Sequence, residues 1–280
     1  MRVAVLRDYS YAERPGEEEL LAERLLRVAP DTVELEVLPP TVSFGKEELD
    51  RADVFISFGL KRYDTEVLEY LKGTAKAHVM VVQDYWDGTQ PLTEYRDDLV
   101  QRAARVFLMS PLHVQRWEHL YGDDGVDNKY ILPFLLVPED LNDDTDIHPE
   151  PQEAAMWVAP WHPDHGSDLL IRWSDREHRE VHAYGLGVPS GGTISKYVSG
   201  KGMIELDKML GTMDPYASLV YFPRVPPPFG LPVLLAYMQR KEVTYNNEIG
   251  CLSYGDLENL VSQCLEVPDY FWRHVDAAVC

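Results

Sequence analysis

The stretch Tyr221–Val243, YFPRVPPPFGLPVLLAYMQRKEV, holds the residues best placed for chemistry. A short apolar run, Ser218–Phe222, stops at Pro223 and Pro226–Pro228, which cannot continue a strand ladder. Phe229-Gly230 then meets a helix start, with Pro232 in the first turn, where a missing N–H costs little. Leu231, Leu234, Leu235 and Met238 recur at helical spacing. A glycine loop feeding a helix N-terminus presents backbone N–H groups and a partial positive charge, which suit an anion such as a diphosphate. The same pattern also serves an ordinary loop–helix corner of an α/β sheet.

Three further sets of residues carry possible chemistry. Gly185-Leu186-Gly187, with Gly191-Gly192 close behind, lacks the spacing of a dinucleotide fingerprint and reads as a flexible loop. His162 and His165 stand three apart in a loop, yet no third ligand lies at a metal-site spacing, so no metal is expected. Asp8-Tyr9-Ser10 and Asp84-Tyr85-Trp86-Asp87 each follow a strand. A carboxylate there can take or orient a hydroxyl proton, and Tyr and Trp offer flat stacking surfaces. Asp8 and Asp84 are the candidates for that duty. The alternative for both is loop capping, which Asp performs routinely.

The elements that must position these residues alternate along the chain. Apolar runs at Arg2–Leu6, Val33–Leu38, Asp53–Phe58, His78–Val82, Arg105–Met109 and Tyr130–Leu135 predict strands. Between them, Glu17–Val28, Tyr63–Leu71, Leu99–Ala104 and Pro111–Tyr121 read as helices. Residues 141–152, LNDDTDIHPEPQ, are polar, acidic and proline-bearing, which marks a joint. A second series follows: strands at Ala155–Ala159, Glu180–Tyr184, Ala217–Phe222 and Val243–Tyr245. Its helices are expected at Asp168–Trp173, Met203–Leu210, Asp256–Leu265 and Tyr270–Ala278. The pattern predicts an α/β protein of two doubly wound parallel-sheet domains facing a cleft. The expected domains are residues 1–140 and 150–265, with a last helix over about 266–280 packing back on the first.

FGLPVLLAYMQRKEVTYNNEIG resembles the donor-side signature of the GT-B glycosyltransferases of the retaining, glycogen-synthase-like class (glycosyltransferase family 4, group 1), E-x-F-G-L-P-x-x-E-A-M. Phe229, Gly230, Leu231, Pro232 and Ala236 match. VAPWHPDHGSDLLI is similar to the V-G-R-L-x-x-x-K-G-x-D-L-L-I segment of that class through Val158, Gly166, Asp168, Leu169, Leu170 and Ile171. HAYGLG and LMSPLHVQRWEHLYG resemble further parts of it. The resemblance implies two Rossmann-like domains, an N-terminal one for the acceptor and a C-terminal one for a nucleotide-diphosphate sugar. It implies metal-independent hexosyl or pentosyl transfer to a hydroxyl, with no tightly bound cofactor. Four charged donor residues of the class are absent: Pro227 and Leu235 replace two glutamates, Pro160 an arginine and His165 a lysine. Arg224, His162, His165 and the backbone of Phe229, Gly230 and Leu231 are then the groups left to hold the diphosphate, with Gly185 and Gly187 beside it. His165, with Asp8 and Asp84, is a candidate for the chemical step. Gly230 is expected to be the sensitive position, its replacement by Val removing donor binding while leaving the fold largely intact.

Composition bounds the alternatives. The chain has 280 residues, 45% of them hydrophobic, enough for two cores. No apolar run reaches 18 residues, so no membrane span is expected. Three late cysteines (Cys251, Cys264, Cys280) make no disulfide framework and fit a reducing cytoplasm. The net charge of −21 repels nucleic-acid backbones unless basic residues gather locally. Three readings therefore stand. The first is a glycosyltransferase acting on a sugar or lipid-linked glycan. The second is a phage-type enzyme acting on a hydroxymethylated DNA base. The third is a GT-B-like binding protein without catalysis.

Overall fold

A computed structural model describes residues 1–14, 16–40, 46–83, 93–121, 128–137, 140 and 152–279. In chain order the first elements are β1 (Arg2–Arg7), α1 (Glu17–Arg27), β2 (Glu34–Leu38), α2 (Lys46–Asp50), β3 (Val54–Phe58) and α3 (Thr65–Gly73). They continue with β4 (Ala77–Val82), α4 (Thr93–Arg102), β5 (Arg105–Leu108), α5 (Pro111–Tyr121) and β6 (Lys129–Ile131). The second series is β7 (Ala155–Val158), α6 (Ser167–Glu177), β8 (Val181–Tyr184), β9 (Ser190–Thr193) and β10 (Val198–Gly202). It ends with α7 (Met209–Met213), β11 (Ser218–Tyr221), α8 (Leu231–Met238), β12 (Glu242–Tyr245) and α9 (Leu257–Val279). The chain divides into two compact units, one of Met1–Leu135 with Glu258–Cys280, the other of Leu136–Leu257.

The first unit is a six-stranded parallel sheet in the order β2-β1-β3-β4-β5-β6. Its inner strands are near-continuous apolar runs because helices cover both faces; every residue of β3 is buried. At the sheet edge β2 departs from the expected alternation, and Val37 is 40% exposed because no further strand covers it. Pairing of β6 stops at Ile131; Leu132–Leu136 stay buried without extending the ladder as the sequence suggested.

The two expected C-terminal helices are one. Helix α9 runs through Pro268, which removes a single backbone hydrogen bond. Leu260, Cys264, Val267, Phe271, Trp272 and Val275 bury one continuous face, and that burial offsets the proline. Phe271 meets Phe107 at a ring separation of 5.3 Å and Phe58 at 6.5 Å, and the Trp272 indole N–H donates to Leu25 O at 3.1 Å.

The second unit has the order β12-β11-β7-β8-β10-β9, parallel except for β9 against β10. Gly191 and Gly192 lie in strand β9 and not in the flexible loop the sequence suggested. Ser190 and Thr193 on either side of them pair with Lys201 and Ser199 of β10, and the two glycines take up the register shift between those pairs at positive φ. The helix expected at Met203–Leu210 forms later, as a short 3-10 turn at Leu206–Lys208 running into α7. The α/β doubly wound expectation matches both sheets.

The centre of the first sheet buries a polar pair. Ser57 Oγ lies 2.9 Å from His78 Nε2, both side chains sealed between β3 and β4. Burial pushes the His78 imidazole down to about 4. The unfolded chain takes up that proton near pH 6.5, so the stabilising contribution is present above that pH and is lost as pH falls toward 4. The loss should be on the order of 3 kcal/mol. Urea unfolding from pH 7 to 4 should show this slope in the wild type, and His78→Gln should flatten it. An unchanged slope in the variant would remove His78 as the cause.

Candidate functional site

In the second unit the strand order reverses between β7 and β11: the chain leaves β7 toward β8 and later returns on the other side. Loops on either side of such a reversal diverge at the carboxyl ends of the strands and leave a crevice. The loop after β7 carries His162 and His165; the loop after β11 carries Arg224 and Phe229-Gly230. The structure brings Arg224 against the turn between the two histidines. Arg224 N donates to Asp164 O at 3.0 Å, and Arg224 Nε to Pro163 O at 3.0 Å. Arg224 Nη2 pairs with Asp168 Oδ2 at 2.5 Å, in the first turn of α6, and Asn247 Nδ2 donates to Arg224 O at 3.1 Å. Arg224 thus has an internal carboxylate partner. His162 caps the turn Pro163–His165, its Nδ1 accepting from Asp164 N at 3.3 Å, with its ring largely exposed. Gly185 and Gly187 join the same edge: Trp161 N donates to Leu186 O at 2.7 Å, and Gly185 N donates to Gly202 O at 2.9 Å. Among the described residues no group of three or more His, Cys, Asp or Glu side chains is placed to hold a metal.

Phe229, Gly230 and Leu231 are all buried, and the side chains of Phe229 and Leu231 belong to the core. Gly230 caps α8 with φ of +88°, a left-handed conformation that glycine adopts without cost. A Cβ there would lie 2.6 Å from Ile249 Cγ2 and 3.3 Å from Pro227 Cγ. Ile249 is buried, and the chain after it straps the loop down: Gly250 N donates to Pro227 O at 3.1 Å and Cys251 N to Phe229 O at 2.7 Å. The Cys251 thiol adds a weak contact to Gly230 O at 3.7 Å. This corrects the expectation that Gly230→Val leaves the fold intact, because the missing side chain is where Ile249 packs.

The first sheet reverses order between β1 and β3, and the loops after them meet around Asp8. Asp8 Oδ1 accepts from Arg62 N at 2.9 Å and Oδ2 from Lys61 N at 3.1 Å. Arg62 Nη1 returns a bond to Asp8 O at 2.9 Å. Gly59, at φ of +109°, leaves the space in which the carboxylate sits, 2.6 Å from where its Cβ would be. Burial raises the Asp8 carboxyl above the usual range, opposed by the two N–H groups. Both oxygens of Asp8 are engaged in closing the loop, the capping role. Asp84 lies outside the described residues.

A hollow of about 170 Å³ opens beside Asp8, lined by Tyr9, Arg14, Glu18, Glu19 and the carboxyl ends of β1, β3 and β4. Sequence reading missed Glu19 and Arg14. The run Glu17-Glu18-Glu19 reads as an ordinary acidic first turn, and only the fold shows that its third member turns inward.

No family model and no curated protein matches this sequence. Solved structures do. Anabaena Alr3699/HepE in complex with UDP and glucose is similar at a TM-score of 0.66 and 13% identity, covering 100% of this chain and 94% of that one. An alpha-glucosyltransferase in complex with UDP-glucose and abasic-site DNA is similar at 0.57 and 10%, covering 100% and 94%. A glycosyltransferase from Rickettsia africae ESF-5 is similar at 0.55 and 12%, covering 99% and 94%. These likenesses give the fold: the two-sheet GT-B architecture of nucleotide-sugar glycosyltransferases.

Gly230→Ala should cost about 1–2 kcal/mol for the left-handed backbone and about 1–3 more for the clash with Ile249. Ile249→Ala alone should cost about 2–5 kcal/mol for the cavity. In that background the Gly230→Ala cost should shrink to its backbone part. Urea unfolding of the four proteins measures the coupling; strict additivity would show that Ile249 does not occupy that space.

Proposed function

We propose that this protein is a glycosyltransferase that moves a sugar from a nucleotide-diphosphate donor to a hydroxyl acceptor. The observation that carries this reading is the Phe229-Gly230 corner at the start of α8, set at the β7–β11 reversal beside the loop that bears His162 and His165. A diphosphate there would meet the amino end of α8 and the edge of Arg224. Solved relatives of this fold hold UDP, UDP with glucose, or UDP-glucose, which supports a uridine diphosphate donor. Arg224, His162 and His165 are the side chains proposed for the phosphates, with Phe229, Gly230 and Leu231 contributing backbone. Gly185 and Gly187 would shape the neighbouring wall. Asp84 and His165 stay proposed for the chemical step; Asp8 is proposed as a loop clamp instead. The domains are proposed to divide the labour, acceptor on the first unit and donor on the second.

One observation favours a second reading, binding without turnover. Asp168 already neutralises Arg224, and the class carboxylates at the places of Pro227 and Leu235 are absent. Transfer to DNA, the activity setting of one relative of the fold, has the −21 net charge against it.

Two measurements separate these readings. UDP and UDP-glucose should raise the melting temperature, since a ligand that binds only the native state stabilises it. Arg224→Ala should then weaken UDP by about 1.5–3 kcal/mol, and Arg224→Lys should recover only part of that. Binding in the wild type without release of UDP from UDP-glucose, across sugar and hydroxymethylated-DNA acceptors, would favour the non-catalytic reading. No thermal shift with any nucleotide sugar would overturn both.

A further inference from the structure

The two sheets end in edge strands: β2 and β6 in the first, β12 and β9 in the second. An edge strand presents unpaired backbone N–H and C=O groups, and folded proteins blunt such edges with charge, brevity or bulges. Strand β2 carries Glu34 and Glu36 along its edge. Strand β6 has three residues. Strand β9 holds Gly191 and Gly192 at positive φ, with a register shift against β10. Strand β12, Glu242-Val243-Thr244-Tyr245, differs from these. It pairs with β11 in unbroken register, has neither glycine nor proline, and holds its single charge at its first position.

The outward side of β12 follows from its inner ladder. Glu242 N donates to Ala217 O at 3.1 Å. Successive residues of a strand turn their backbone groups to alternate sides, so Glu242 and Thr244 face β11 while Val243 and Tyr245 face away. Among the described residues no strand lies on that side. Tyr245 is 44% exposed, and Val243 and Thr244 are half-buried.

This edge is complementary to itself. Turned antiparallel about a two-fold axis at Thr244, Val243 stands opposite the partner's Tyr245, and each such pair exchanges both its N–H···O bonds. The same register sets a β-branched side chain against an aromatic one on a single face, a favourable cross-strand pair. Charge agrees with it. Arg240 and Lys241 precede the strand and Glu248 follows it, so the antiparallel turn brings the basic end of one copy to the acidic end of the other. An unrelated extended segment would satisfy the backbone without matching both ends. We propose that β12 is a self-association edge, on which a second copy of this chain pairs antiparallel and joins two six-stranded sheets into one. The net charge of −21 on each copy opposes approach from afar, but at ~0.15 M salt it is screened beyond ~8 Å, and the contact at the edge decides.

The test is sedimentation velocity of the full chain at about that salt, from micromolar to near-millimolar protein. The wild type should pass from monomer to dimer as concentration rises. Val243→Pro removes an outward N–H and spares the inner ladder, so it should stay monomeric over the same range. A cysteine reports the register. Thr244 stands opposite the partner's Thr244 at the close spacing of a non-hydrogen-bonded pair, within reach of a disulfide. In a Cys280→Ser background, Thr244→Cys should give a cross-linked dimer on oxidation with diamide, and Glu242→Cys should not. This second measurement decides the matter even where Val243→Pro fails to fold. Monomer at every concentration, dimerisation of folded Val243→Pro at wild-type strength, or equal cross-linking from the two cysteine positions overturns the proposal.

Discussion

The carboxyl edge of the second sheet depends on one packing contact: Ile249 fills the space that Gly230 leaves empty. A left-handed glycine turns the chain from the proline loop into α8, and the strap from Ile249 to Cys251 holds that turn by two backbone hydrogen bonds. The start of α8 is fixed where the glycine and the isoleucine fit each other. The loop is part of the core, held by backbone hydrogen bonds and methyl packing. That suits a chain in which charged residues of the resembled class have given way to proline, leucine and histidine. Positioning by N–H groups costs no desolvation of a side chain when an anion arrives.

Much of the architecture was legible in the residues. Continuous apolar runs at Val54–Phe58 and His78–Val82 fit strands buried on both faces, and they are. The corner at Pro226–Leu231 announced itself through proline, glycine and helical spacing. What could not be read was long-range. Nothing near Asp8 signals that its carboxylate will bind N–H groups more than fifty residues away, and nothing near Arg224 signals Asp168. Pro268 suggested a break, yet the apolar face of α9 outweighed one lost hydrogen bond. Gly191-Gly192 suggested a loop, yet an edge strand needs little from its side chains. Local chemistry reports on turns and caps; the partners of a charged side chain are set by topology.

The two strand-order reversals are equivalent in kind but differ in how they are lined. The first holds carboxylates and guanidiniums paired among themselves around a small hollow. The second is built from backbone, two histidines and one arginine clamped to an aspartate. A sugar and a diphosphate ask for different things: many weak hydrogen bonds in one case, oriented donors in the other.

Helix α9 has a consequence for how the molecule is made. The second unit, Leu136–Leu257, is threaded between two parts of the first. As the ribosome delivers the chain from its amino end, the second unit has all its strands before the first has its last helix. Until Phe271 and Trp272 emerge, Phe58, Phe107 and the end of α1 lack the aromatic rings that cover them. The nascent first sheet must wait with an apolar face uncovered while a complete second unit assembles behind it. The order of synthesis and the order of completion are thus opposite, and the stretch most exposed to misassociation is the half that is made first.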